Sequence, residues 1–225
     1  MALVTNGCIK KPKEEKKEIQ YGDVLINGKN YLTVKIGAQW WMAENLTTNT
    51  YSNGQTIPAI EGADENGWAN AQYGAKDNNS TYNYNWYAVV NDTFSIAPPG
   101  WHVPSDDDWK RLEQELGMDS EQANENGWRG DREAEKLKMA NNKTWPDYDK
   151  NLVWGTNESG FAAQVSICRM FSGNTGDPGT AFFWTSSEGP GGTAYYRYLD
   201  YKKSTIFRNY GSKNYGFAVR LVLNN

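Results

Sequence analysis

Ser105-Asp106-Asp107-Asp108-Trp109-Lys110-Arg111-Leu112-Glu113-Gln114-Glu115-Leu116-Gly117 carries the clearest helical signature in the chain. Ser105 can accept a hydrogen bond from the backbone of a first turn, and the aspartates that follow suit the positive end of a helix. Trp109, Leu112 and Leu116 recur at i, i+3 and i+7, so they face inward, and Gly117 stops the run. A second, weaker helix is expected from Asp131 to about Asn141. Ala134, Leu137 and Lys138 stand at helical spacing there, and this helix is expected to be the more exposed of the two. What surrounds these helices reads as strand. Val24-Leu25-Ile26 and Tyr31-Leu32-Thr33-Val34-Lys35-Ile36 flank Asn27-Gly28, a pair that supplies the positive φ angles of a tight hairpin turn. Gln39–Leu46 follows as a third strand-like or bridging piece. Phe182–Ser187, Ala194–Tyr201 and Thr205–Tyr210 read as strands, and Phe217–Val222 closes the chain. Strands at both ends with helices between them predict an α+β fold, mostly antiparallel, with two helices, long irregular loops and the termini paired in one sheet. The longest irregular stretch, residues 47–85, is rich in Asn, Gly, Thr and Tyr, and a span of that length without elements is usually functional or inserted.

The composition narrows the chemistry. The 225 residues include 10 Trp and 14 Tyr, which supply the apolar area that a sparse aliphatic content lacks. A net charge of −4 argues against a nucleic-acid footprint, which needs a basic face. No run of 18 apolar residues is present, so no helix is expected to span a membrane. His102 is the single histidine, and Cys8 and Cys168 lie far apart, so neither a clustered zinc site nor a disulfide scaffold is expected. HExxH, a GxxxxGK[ST] phosphate loop, GxGxxG and a GxSxG elbow are all missing. These absences point to a protein that is not an enzyme and uses no cofactor.

Residues 1–20 stand apart from a single domain expected over 21–225. Lys10-Lys11-Pro12-Lys13-Glu14-Glu15-Lys16-Lys17-Glu18 is charged on every side and reads as a solvated tether. The preceding Leu3-Val4-Thr5-Asn6-Gly7-Cys8 resembles the end of a bacterial lipoprotein signal, with a small residue before the lipidated cysteine. Cys8 is therefore the expected lipidation site. The competing reading is an ordinary N-terminus with a chance cysteine.

Five segments occur in a telling order: Trp41-Met42-Ala43-Glu44-Asn45-Leu46, Tyr84-Asn85-Trp86, Pro99-Gly100-Trp101-His102-Val103-Pro104-Ser105 with Trp109, Phe183-Trp184-Thr185-Ser186-Ser187, and Gly216-Phe217-Ala218-Val219-Arg220. Together they resemble the Fibrobacter succinogenes major paralogous domain, over roughly residues 21–223. That family is common on surface lipoproteins of Bacteroidetes and is similar in pattern to C-type-lectin-like and formylglycine-generating-enzyme folds. The resemblance implies a C-type-lectin-like fold and an outer-membrane lipoprotein of the cell envelope, surface exposed and held to the membrane by its lipid alone. The family's usual disulfide has no counterpart: Ala97-Pro98 and Leu221 stand where its cysteines often occur, which leaves Cys168 as a lone buried thiol. Formylglycine-generating chemistry uses a cysteine pair in the C-terminal part of the fold, and only Cys168 lies there. Sugar-binding C-type lectins chelate calcium with Glu-Pro-Asn or Gln-Pro-Asp, and neither triplet is present. Asp64-Glu65-Asn66 and Asp77-Asn78-Asn79 could donate hard oxygens, but such loops are more often turns, so no metal is expected. His102 within its motif reads as a satisfied, half-buried histidine.

A binding surface remains. Tyr195-Tyr196-Arg197-Tyr198-Leu199-Asp200-Tyr201 and Arg208-Asn209-Tyr210 are aromatic and polar together, and in C-type-lectin-like folds the matching strands face the ligand. Period two puts Tyr196, Tyr198 and Asp200 opposite Leu199, and Leu199 is expected to face inward. The expected ligand patch is Tyr196, Tyr198, Asp200, Arg208 and Tyr210, taking a protein or a glycan. The competing reading packs these tyrosines into the core. Two other roles stay open: a structural component of the envelope, and the diversified receptor of a diversity-generating retroelement, whose Tyr- and Asn-rich composition residues 195–215 share.

Overall fold

The computed structural model describes residues 18–59, 73–75, 82–91, 93–140, 145, 153–166, 168–170 and 179–224. Strands β1 (Tyr21–Ile26) and β2 (Lys29–Ile36) form the expected hairpin. Asn27 and Gly28 take φ of 48° and 82°, the left-handed pair whose twist matches the flanking strands. β3 (Gln39–Met42) pairs with β2. There follow β4 (Tyr73–Ala75), β5 (Tyr82–Tyr84), α1 (Trp86–Val89), β6 (Trp101–His102), α2 (Asp106–Glu115), α3 (Ser120–Asn124), β7 (Gly127–Arg129) and α4 (Glu133–Leu137). The last strands are β8 (Thr180–Glu188), β9 (Thr193–Asp200), β10 (Ile206–Ser212) and β11 (Val222–Leu223). They build a five-stranded sheet in the order β1-β2-β3-β11-β6, a four-stranded sheet in the order β7-β10-β9-β8, and a β4-β5 pair. Every pairing between these strands is antiparallel. The fold is α+β, and the C-terminal β11 sits between β3 and β6, in the same sheet as the N-terminal hairpin.

Helix α2 forms as its sequence dictates. The Ser105 hydroxyl accepts from the Asp108 amide and the Asp108 carboxylate accepts from the Ser105 amide, which closes a capping box. Gly117, at φ 114°, ends the helix in a conformation that side chains resist. Trp109 and Leu112 are fully buried and Leu116 nearly so. Trp109 meets Trp41, Phe161 and Phe183 at ring-centroid distances of 5.1, 5.7 and 5.6 Å.

Two expectations are corrected. The second helix, expected to be the more exposed one, is only five residues long, and its Ala134 and Leu137 and the following Lys138 are fully buried. The Lys138 ammonium donates to the carbonyls of Val153, Asp200 and Lys203 at 3.1, 2.8 and 2.7 Å, so this buried cation ties three carbonyls together. Phe217–Val222 is not one strand either. Tyr84 bridges Phe217 and Phe183 bridges Ala218 before the chain enters β11, so this buried segment is threaded between neighbours. Among the described residues the chain has α1 and α3 besides the two expected helices.

The segments that carry the family resemblance meet one another. Arg220 Nε donates to Asn45 Oδ1 at 2.8 Å, and the amides of Met42 and Leu46 donate to the carbonyls of Leu221 and Val219. Trp184 Nε1 donates to the Tyr84 carbonyl at 2.8 Å and Trp86 Nε1 to the Thr185 carbonyl at 3.0 Å. The Ser186 amide donates to the Pro104 carbonyl at 2.8 Å. The bonds of Arg220, Trp184 and Trp86 each give a buried guanidinium or indole N–H a partner whose loss would cost free energy, and each ties two distant segments together.

Candidate functional site

The four-stranded sheet has two faces of different chemistry, and its register sorts the expected patch between them. Tyr198 lies opposite Phe207, and Arg208 opposite Arg197. Residues paired across antiparallel strands share a face. Tyr196, Tyr198 and Asp200 therefore stand on one face, and Arg208 and Tyr210 on the other. The five residues do not form one surface.

The face toward α2 is ionic. Arg208 Nε and Nη2 donate to the two carboxylate oxygens of Asp106 at 2.9 and 2.8 Å, and its Nη1 donates to Asn126 Oδ1 at 2.6 Å. Arg197 donates to Asp106 Oδ1 at 2.8 Å and to Glu113 Oε1 at 2.6 Å. Arg129 closes the array with a two-pronged pair to Glu113 at 2.8 and 2.9 Å. All five side chains are buried. Burial alone would raise the Asp106 carboxyl, but the Arg208 and Arg197 guanidiniums outweigh it and hold it well below the usual carboxylate range. Arg208 is thus a core cation, not an available ligand contact. Tyr210 is exposed at the rim, edge-on to Tyr195 at 5.7 Å, and Tyr195 lies under the Arg208 guanidinium at 4.3 Å.

The other face is aromatic. Trp128 on β7 lies opposite Phe207 on β10, Phe207 opposite Tyr198 on β9, and Tyr198 opposite Phe182 on β8. One row of rings thus crosses all four strands. Its neighbours are 5.1, 5.9 and 4.5 Å apart, and Tyr198 stacks on Phe182 at an interplanar angle of 11°. Beyond Phe182 the row continues into the buried Phe217, stacked at 4.9 Å. Exposure falls along the row, from Trp128 at the surface through half-buried Phe207 and Tyr198 to buried Phe182. Tyr196 packs on the same side, 5.1 Å from Phe217, and burial pushes its phenol up to about 12. The tyrosines are half-buried members of an aromatic layer, so neither facing solvent nor packing the core describes them fully.

Polar groups ring the outer end of this row. The Tyr198 hydroxyl donates to Asp200 Oδ2 at 2.5 Å, and the Lys202 amide donates to Asp200 Oδ1 at 2.7 Å. The Lys203 ammonium sits 5.6 Å from the Trp128 ring centroid. Trp128 and Phe207 escaped the sequence reading. Gly127-Trp128-Arg129 is too short to show a period, and Phe207 could be placed only by knowing that β10 pairs with β9 in the observed register.

His102 is satisfied, as its motif implied. Its Nε2 lies 3.1 Å from Asp108 Oδ2 and its Nδ1 2.5 Å from Asn224 Oδ1. The bond to Asp108 raises its pKa. Burial would raise the Asp108 carboxyl, but bonds from His102 and Ser105 bring it to about 2. Among the described residues no group of three or more His, Cys, Asp or Glu side chains could hold a metal ion. Asp64-Glu65-Asn66, Asp77-Asn78-Asn79 and Cys8 lie outside the described residues. Cys168 is buried.

An α+β domain whose two ends share a sheet and whose polar motifs close its own framework is what the architecture defines. Residues 34–223 match the family model of the Fibrobacter succinogenes major domain, and the chain belongs to that family. No curated protein and no solved structure matches it.

Proposed function

We propose that this chain is a non-enzymatic binding domain of C-type-lectin-like fold, displayed on the bacterial cell surface through a lipid on Cys8, and that it takes a glycan on the aromatic face of its four-stranded sheet. The observation that carries the reading is the row Trp128, Phe207, Tyr198 and Phe182, which reaches the surface beside Asp200 and Lys203. A flat, partly exposed ring offers a stacking plane to the apolar face of a sugar, and the acid and ammonium at its rim can bond hydroxyls. The insertion of β11 among the N-terminal strands supports the lectin-like fold. The charged segment between Cys8 and the domain suits a tether between membrane and fold.

The diversified-receptor reading fits less well. Arg197, Leu199, Ile206 and Arg208 fall inside the Tyr- and Asn-rich stretch and are buried, so free variation there would break the core.

The test is a screen of the chain on glycan and protein arrays, repeated with Trp128→Ala and Tyr198→Phe. Binding to glycans that Trp128→Ala weakens at least tenfold, the scale of a lost anchor residue, supports the proposal. Equal binding by both variants and the parent would place the ligand elsewhere. Hits confined to the protein array would replace the glycan with a protein, and silence on both arrays would leave a structural envelope role as the better reading.

A further inference from the structure

Strand β1 forms one edge of the five-stranded sheet. β1 is six residues long, contains no proline, and pairs with β2 in unbroken register from Tyr21 opposite Val34 to Ile26 opposite Lys29. Its other side has no partner strand among the described residues. The Lys35 amide donates to the Gln20 carbonyl at 2.9 Å, which marks Gln20 as inward-bonded. In an antiparallel ladder such positions alternate, so Gly22, Val24 and Ile26 also bond to β2. The N–H and C=O groups of Tyr21, Asp23 and Leu25 therefore point outward.

The side chains of those same residues are exposed. Tyr21 at 48%, Leu25 at 62% and Leu32 at 45%, the last lying opposite Asp23, form an apolar patch along the open edge. They are three of the seven large hydrophobic side chains exposed among the described residues, which concentrates that property on one hairpin. A regular, apolar, proline-free edge is one that folded proteins ordinarily blunt. This one keeps a single charge on that face, Asp23, at its centre.

We propose that β1 is a docking edge for an extended segment of a partner protein, added as an antiparallel strand, with a basic residue opposite Asp23 and apolar residues two positions to either side. The charge decides the occupant. In the register that uses all three outward positions, a second copy of this chain would set Asp23 against Asp23, which is unfavourable. A lysine or arginine at that position pairs with the carboxylate, while its flanking apolar residues cover Tyr21 and Leu25. Main-chain bonds supply affinity in such strand addition and the alternating side chains supply selectivity. The strand lies outside residues 34–223, so this edge is separate from the span that the family model describes and from the aromatic face.

The probe is the peptide acetyl-Thr-Val-Thr-Lys-Thr-Val-Thr-amide, titrated into the isotope-labelled chain at up to millimolar concentration while amide hydrogen exchange is followed by NMR. Exchange at Tyr21, Asp23 and Leu25 should slow at least tenfold. The same peptide with Glu in place of Lys should bind at least tenfold more weakly, and Asp23→Lys should reverse that preference. Leu25→Pro removes one outward N–H without touching the β1–β2 bonds and should abolish protection. Unchanged exchange at those three amides, or equal binding of the Lys and Glu peptides, overturns the proposal. Sedimentation of the unliganded chain as a dimer with the same three amides protected would overturn it in favour of a second copy.

Discussion

Replacing Asp106 by Asn removes the charge that holds two buried guanidiniums while keeping the shape of the side chain. In the folded protein Asp106 accepts from Arg197 at 2.8 Å and from Arg208 at 2.9 and 2.8 Å, and it pairs with Lys110 at 3.0 Å. Without the carboxylate, Glu113 is the one buried acid left in the array, and it bonds Arg129 and Arg197 but not Arg208. Removing one partner from a buried ion pair typically costs about 3–5 kcal/mol, because the remaining charge is left uncompensated away from water. In a domain of this size each kcal/mol lowers the melting temperature by about 2–4 °C, so a fall of roughly 6–20 °C is expected. The assay is thermal and urea unfolding followed by circular dichroism, with Asp107→Asn as the matched control. Asp107 is the next residue on the same helix, its side chain is 73% exposed, and its ion pair with Lys110 is a surface contact. That control should stay within about 0.5 kcal/mol of the parent. Asp106→Asn melting together with Asp107→Asn would refute the assignment of the array to the core and return Arg208 to the pool of available surface cations.

Trp109→Ala should cost about 3–5 kcal/mol in urea unfolding, since the indole fills the centre of a buried aromatic cluster. Ser105→Ala should cost about 0.5–2 kcal/mol by the same measurement, through the lost capping box. The pair of His102 and Asp108 gives stability a dependence on pH that has two limbs. The raised pKa of His102 means that its contribution is complete below about pH 6.5, the unfolded value, and is lost as the pH rises through the folded one. Asp108, held at about 2, contributes above its unfolded value of about 3.9 and loses that contribution as the pH falls toward 2. His102→Gln should flatten the alkaline limb and Asp108→Asn the acid limb in melts taken from pH 2 to 9. An unaltered profile in both variants would show that the bond between them carries no linkage.

What the sequence made legible was local. The Asn27-Gly28 turn, the Ser105 cap and the Trp109 face each depend on residues within one turn or one hairpin of each other, and each formed as read. The partition of the proposed patch depended on something else. Tyr196 and Tyr198 are separated from Arg208 and Tyr210 by the pairing of Tyr198 with Phe207, and a shift of one residue in that register would have put all of them together. Alternation within a strand reveals which residues share a face but not which faces of two strands coincide. The burial of Lys138 and Glu113 was not legible for a related reason. A charged residue on a helix is normally solvated, and only the arrival of Arg129 and Arg197, or of carbonyls from residues 153, 200 and 203, makes its burial tolerable.

The same distinction separates the residues that seal the interior from those that shape the surface. Asn45 with Arg220, Trp184 with Tyr84, Trp86 with Thr185 and Ser186 with Pro104 join motif to motif, and the first three satisfy a donor on a buried side chain. Substituting Asn45, Arg220, Trp184 or Trp86, whose side chains make these bonds, therefore disturbs two distant segments at once. Trp128, Phe207, Tyr198, Leu25 and Asp23 belong to none of those motifs, and none of them joins one motif to another. Exchanging Trp128 or Leu25 alters what the surface presents while the junctions between motifs stay intact. The bonds between these segments seal the interior, which leaves the outer aromatic face and the open edge of β1 as surfaces that can change without opening it.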